Sequence, residues 1–132
     1  MKKIIIIIVA ALLMAGGAVY FLFLKPAPEP EISYYSTGDS FVTNVKDSLR
    51  FLKTTVVLEI SATDTEKVQE YLKENNHVIR DIIVFTLRQK TEEELRSIGI
   101  EEQLREELRQ NISKKMGIDY LQKVYFNDFV IQ

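Results

Sequence analysis

Cysteine is absent from the 132 residues, which excludes disulfides, thiolate nucleophiles and zinc–thiolate centres together. Histidine occurs once, at His77, with no second histidine or cysteine to share a metal, so a capping or surface role is expected for it. There is no glycine-rich phosphate loop, no Ser-His-Asp set and no metal-ligand spacing. These gaps argue against an enzyme, a cofactor or a small-molecule substrate. A basic excess is also missing. From Glu29 onward 14 Lys or Arg stand against 19 Asp or Glu, a net charge of −5, which lacks the electrostatic footprint of a nucleic-acid binder. Proline is scarce, and all 3 prolines, Pro26, Pro28 and Pro30, fall in the stretch KPAPEPEI. Each proline fixes φ near −65° and removes a backbone donor, so the run resists helix and sheet and reads as an extended spacer, assigned here to residues 25–36.

What the sequence does contain, N-terminal to that spacer, is one long apolar run. Ile4 to Leu24 is uncharged, with Lys2, Lys3 and Lys25 at its edges. As a helix it spans about 31 Å, close to the roughly 30 Å hydrocarbon core of a bilayer. A cleaved signal peptide is the competing reading, because Ala15, Gly16, Gly17 and Ala18 resemble a small-residue cleavage site. The apolar run continues past them through Leu24, which favours an uncleaved anchor over residues 4–24. The positive-inside rule then leaves residues 1–3 as a cytoplasmic stub and everything after Lys25 outside. Ala11, Ala15 and Ala18 recur at i, i+4 and i+7, a stripe of small residues along which membrane helices pack closely.

The remaining chain, residues 37–132, has the length of one small domain with a single core. Phe51 to Ile60 alternates, with Leu52, Thr54, Val56, Leu58 and Ile60 on one side, as in a strand with one buried face; the other face is only half polar. Phe41 to Val45 is a shorter strand, and Lys46, Asp47 and Ser48 supply the turn of a hairpin between the two. A capping box at Thr63–Glu66 opens a helix through Val68, Tyr71 and Leu72, and Asn75 and Asn76 close it through the left-handed conformation. His77 to Lys90 fits a buried strand or a helix. Val78, Ile79, Ile82, Ile83 and Thr86 share one helical face, and the length favours helix. Arg80 and Asp81 interrupt this apolar segment as a candidate subunit contact. A second capping box, Thr91–Glu94, precedes a turn ending at Gly99. The acidic Glu92, Glu93 and Glu94 suit a helix N-terminus through the macrodipole alone. Ile100, Leu104, Leu108, Ile112 and Met116 then form a narrow stripe on a half-exposed helix capped by Gly117. Along its outer side Glu101, Glu102 and Glu106 are spaced to pair with Arg105 and Arg109. Val124, Phe126 and Phe129–Ile131 read as a last strand joining the hairpin's sheet. The class is α+β.

A short stub, a single anchor, a spacer and the ordered segments FVTNV, RFLKTTVVLEI, RDIIVFTLRQKTEEEL, EEQLREELRQNI and VYFNDFVIQ together resemble the flagellar basal-body-associated FliL family. The resemblance implies a small extracytoplasmic domain similar to those of stomatin-like (SPFH-like) membrane proteins, held at the inner (cytoplasmic) membrane of a bacterium. It implies a non-enzymatic homo-oligomeric ring around the flagellar stator proteins, supporting motor torque, swimming and swarming. A membrane-tethered assembly factor or chaperone for another envelope complex shares the same anchor, spacer and domain.

Overall fold

A computed structural model describes residues 1–132. The chain forms α1 (Lys2–Val19), a π-helical turn (Tyr20–Leu24), β1 (Glu31–Ser36), β2 (Phe41–Asn44), β3 (Phe51–Ala62), α2 (Thr65–Glu74), α3 (Asn76–Leu87), the single turn α4 (Glu92–Leu95), α5 (Ile100–Met116) and β4 (Leu121–Ile131). Lys2–Leu24 is a continuous helix of 23 residues, long and apolar enough to cross a membrane, and none of it packs against the domain. The widened last turn closes with the Lys25 N–H donating to the Tyr20 carbonyl at 2.9 Å.

β3 is the axis of the domain. Along one edge it pairs antiparallel with β4 over Leu52–Ile60. The other edge is divided: β1 takes Val57–Ala62 and β2 takes Phe51–Thr54, both antiparallel to β3. β1 and β2 therefore run in the same direction, end to end, as one strand broken at Thr37–Ser40. The helices cover one face of this sheet. Leu52, Val56, Leu58 and Ile60 point into it at 1% exposure or less and meet Ile79, Ile82 and Ile83 of α3 and Leu104, Leu108 and Ile112 of α5. At roughly 1.5–3 kcal/mol for each fully buried aliphatic side chain, this cluster is the main source of the domain's stability.

The hairpin, the Thr91–Glu94 capping box and the closing strand form as the sequence indicates, and the helical reading of His77–Lys90 holds as far as Leu87, where α3 ends. Gly117 ends α5 at φ 65°, the left-handed conformation that a side chain disfavours. Three local expectations are corrected. Residues 31–36 are not spacer: Glu31–Ser36 is a strand, and the extended linker is Lys25–Pro30, about 19 Å at full polyproline II extension. Alternation failed to reveal β1 because its apolar Ile32 and Tyr34 point away from the core, opposite Ser61 and Glu59. α2 is capped one residue later than expected, by the Asp64 carboxylate accepting from the Lys67 N–H at 3.0 Å; the ionised carboxylate is a stronger acceptor for the helix's free N–H groups than the neighbouring Thr63 hydroxyl, and the threonine box does not form. Asn75 sits at φ −100° rather than in the left-handed region, because α3 begins at the next residue and the chain turns between two abutting helices.

Candidate interaction surfaces

The break between β1 and β2 is where the sequence's Arg80 is found. Thr37 is fully buried there, with its N–H and hydroxyl both donating to the Val56 carbonyl at 3.3 and 2.8 Å. Its own carbonyl points toward α3. The Arg80 guanidinium donates to the carbonyls of Thr37 and Asp39 at 2.8 and 2.9 Å, and stacks 4.1 Å from the centre of the Phe41 ring. The Asn76 amide donates to the same Thr37 carbonyl at 3.4 Å. Gly38 turns through this site at φ 95°, which a side chain would resist. Arg80 is thus engaged inside the chain, whereas Asp81 on the same helix is exposed. His77 is exposed on the first turn of α3.

The acidic run has local partners. Glu94 closes its capping box on the Thr91 N–H at 2.7 Å, and Glu92 pairs with Arg96 at 3.0 Å and Arg50 at 3.3 Å. The Arg96 hydrogen bond first, with Arg50 beside it, holds the Glu92 carboxyl below its usual range. On α5 the expected Glu102–Arg105 and Glu106–Arg109 pairs form, at 3.3 and 2.6 Å, and the Arg109 and Gln110 hydrogen bonds lower Glu106 to about 2. Glu101 is not part of this pairing. Exposed pairs of this kind are worth little individually.

The helix-free face of the sheet was only partly legible. β3 turns Phe51, Lys53, Thr55, Val57 and Glu59 outward, and registration brings Ile32 and Tyr34 of β1, Val42 of β2 and Val130 of β4 onto the same side. Ile32, Tyr34, Val42, Phe51 and Val130 are between 45% and 64% exposed, an apolar concentration that monomer surfaces seldom carry without use. The half-polar outer face of β3 was its only sequence signal. At its centre Glu59 is buried, accepting from the Tyr125 hydroxyl at 2.7 Å, with Lys123 at 4.0 Å and the Tyr34 ring 6.5 Å from that of Tyr125. The two sheet edges are less suited to contact: bulges interrupt the register of β4 at Thr55/Val56 and Glu59/Ile60, and the opposite edge is broken at Thr37.

The hydrogen bond to Glu59, followed by burial, raises the Tyr125 phenol above its ordinary value near 10. A raised phenol contributes stability that is fully present below pH 10 and is lost as pH climbs through the shifted value. Tyr35 and Tyr120, raised chiefly by burial, act with the same sign. The melting temperature is therefore expected to fall above pH 10, and Tyr125→Phe to make that fall shallower. An alkaline melting series that is identical for both proteins contradicts the role of the pair.

Residues 34–132 match the family model described as flagellar basal body-associated protein FliL. The chain belongs to the FliL family. A relative described as "Flagellar protein FliL", from Aquifex aeolicus (strain VF5), is 30% identical over 111 residues, covering 82% of this chain and 66% of its own length. Family membership makes this a flagellar basal-body-associated protein of a structural or accessory kind. The FliL match begins within β1 and contains the whole of the remaining sheet and every helix of the domain. Arg80, the capping box and the open sheet face apart from Ile32 lie inside it. Ala11, Ala15, Ala18 and the three prolines precede it, on the apolar helix and the linker.

Proposed function

We propose that this FliL-family protein is a non-enzymatic scaffold of the flagellar motor, anchored in the inner membrane with its domain outside the cytoplasm, that assembles with copies of itself into a ring around the stator units and supports torque during swimming and swarming. The observation that carries the reading is the combination of a solitary membrane-length helix with a domain whose outer sheet face is left apolar and uncovered. Such a chain presents a binding surface close to a bilayer. In this reading the fold is used as in stomatin-like (SPFH-like) domains. Ala11, Ala15 and Ala18 pack anchors together or against a stator helix, and Asp81 supplies a subunit contact while Arg80 keeps its helix in place.

Because the chain lacks cysteine, its orientation is testable with single introduced thiols. Cysteine in place of Ser36, exposed at the end of β1, is expected to react with a membrane-impermeant maleimide in spheroplasts, and cysteine in place of Lys2 only after lysis. The reverse pattern excludes the proposed placement.

The linker sets the height of the domain. Six residues of polyproline II hold it up to about 19 Å from the anchor, whereas a flexible chain of that length averages about 13 Å and wanders. A stiff linker lowers the ordering entropy lost on assembly. Replacing Pro26, Pro28 and Pro30 with glycine is expected to leave folding and insertion intact but to weaken recruitment to motors and swarming. Recruitment and swarming at the wild-type level would reduce the linker to a simple tether.

A further inference from the structure

The end of the domain that receives the linker carries an apolar groove. Glu31 pairs with Ala62, so β1 begins where β3 ends, whereas Phe51 at the other end of β3 pairs with Asn44 and exchanges hydrogen bonds with Gln132. The 12 residues of β3 set these two ends about 37 Å apart. α2 starts at the linker end, directly after β3, and α5 finishes there, directly before β4. Between them lies an open groove of about 300 Å³ whose apolar lining is Val68 and Tyr71 of α2 with Met116, Ile118 and Tyr120 around the end of α5. Tyr71 is 39% exposed, and the other four are half-buried against the core. Lys67 lines the groove as well, and a neighbouring depression that shares Lys67, Val68 and Tyr120 with it has Pro30 in its wall.

We infer that this groove is seated on the lipid bilayer, with Tyr71, Ile118 and Tyr120 at the level of the headgroups. The tether selects the occupant. Pro30, beside the groove, is six residues from Leu24 at the end of the membrane-length helix, a reach of at most about 19 Å, of which the headgroup layer occupies roughly 5–7 Å. The linker fixes how far the domain sits from its anchor but not in which direction, and contact at the groove supplies a second support. The side chains suit that depth: a tyrosine ring is apolar with a polar tip, and a lysine lays its stem along apolar surface while its ammonium stays in water. Charge does not decide the contact, because the exposed Lys67, Lys114 and Lys115 at this end stand against the exposed Glu31, Asp64 and Asp119. Apolar and aromatic side chains carry it, without a need for anionic lipid. A shallow contact suffices, since the anchor makes the encounter intramolecular, at an effective concentration on the order of millimolar for a short linker. This rests on the membrane anchor proposed above, and it leaves the apolar outer face of the sheet turned sideways, open to protein partners.

The chain contains no tryptophan, so a single introduced indole reports on one position. Tyr71→Trp places it in the groove and Phe51→Trp at the far end of the sheet; both are exposed aromatic positions, and the variants are expected to melt like the parent. The full chain is reconstituted into phosphatidylcholine vesicles, with and without bromine on the acyl chains, and flotation establishes that it inserts. The Tyr71→Trp emission is expected to shift to the blue on reconstitution and to lose intensity markedly in the brominated vesicles, while the Phe51→Trp emission is unchanged by bromine. Bromolipid quenching of Phe51→Trp means that the sheet lies along the bilayer and overturns the assignment. An unquenched Tyr71→Trp indole in an inserted chain also overturns it, whether that indole is open to acrylamide, as when the domain stands clear of the membrane, or shielded from acrylamide by another protein chain; the anchor survives either result. A chain that fails to float with the vesicles removes the anchor and the seat together.

Discussion

Ile83→Asp is expected to abolish the cooperative unfolding of the folded domain at ordinary temperature. Ile83 is fully buried in the cluster where α3 crosses β3 and α5. The substitution deletes a large aliphatic side chain, at about 2–5 kcal/mol, and places a carboxyl among apolar neighbours with no donor supplied to meet it. A domain of this size has only about 5–15 kcal/mol in total, so the folded state is left marginal or lost. Urea or thermal unfolding followed by circular dichroism reads the effect directly. Glu102→Gln is the companion control: its carboxylate is 82% exposed and its partner Arg105 lies on the same helix surface, so a change within about 0.5 kcal/mol is expected. Unaltered melting of the Ile83→Asp protein would mean that α3 presents another face to the sheet.

Arg80→Ala has the second-largest expected effect, and it separates two roles for a residue that pattern alone had offered as a subunit contact. Its guanidinium supplies charged donors to the Thr37 and Asp39 carbonyls at the break in the sheet edge and covers the Phe41 ring. Hydrogen bonds from a charged group are worth about 1.5–3 kcal/mol, and the buried Thr37 carbonyl is left with only the longer contact from Asn76. A loss of about 2–3 kcal/mol is expected, with local loosening of β1 seen as faster amide exchange at Tyr35 and Thr37. Arg80→Lys is expected to recover only part of the loss, since a single ammonium does not reproduce the planar stack and fork. Wild-type stability and exchange in Arg80→Ala, together with impaired oligomerisation, would instead assign Arg80 to the surface between copies.

Elements with one buried face were legible because burial imposes a period. β3, α3 and α5 each carry their core residues at the spacing of their secondary structure, and each forms where that spacing indicates. β1 was not legible, because its inward positions are the small Ser33 and the single Tyr35 while Ile32 and Tyr34 face out. The same reversal hid the candidate interface. Apolar side chains on an open sheet face have the composition of core residues, and only cross-strand registration separates the two. Arg80 was visible as an anomaly in an apolar helix, but its function depends on where a broken strand 43 residues earlier in the chain presents its carbonyls. Local sequence does not encode that distance.

The measurement that bears most directly on the central claim is the swarming rate of a strain lacking this gene, with flagellar filaments counted in the same cells and stator subunits crosslinked to the protein in the parent strain. The filaments are expected to assemble, swarming to be lost or reduced and to return on complementation, and the parent to yield a crosslink between the folded domain and a stator subunit. Wild-type swarming without the gene, together with no stator crosslink, would contradict the claim.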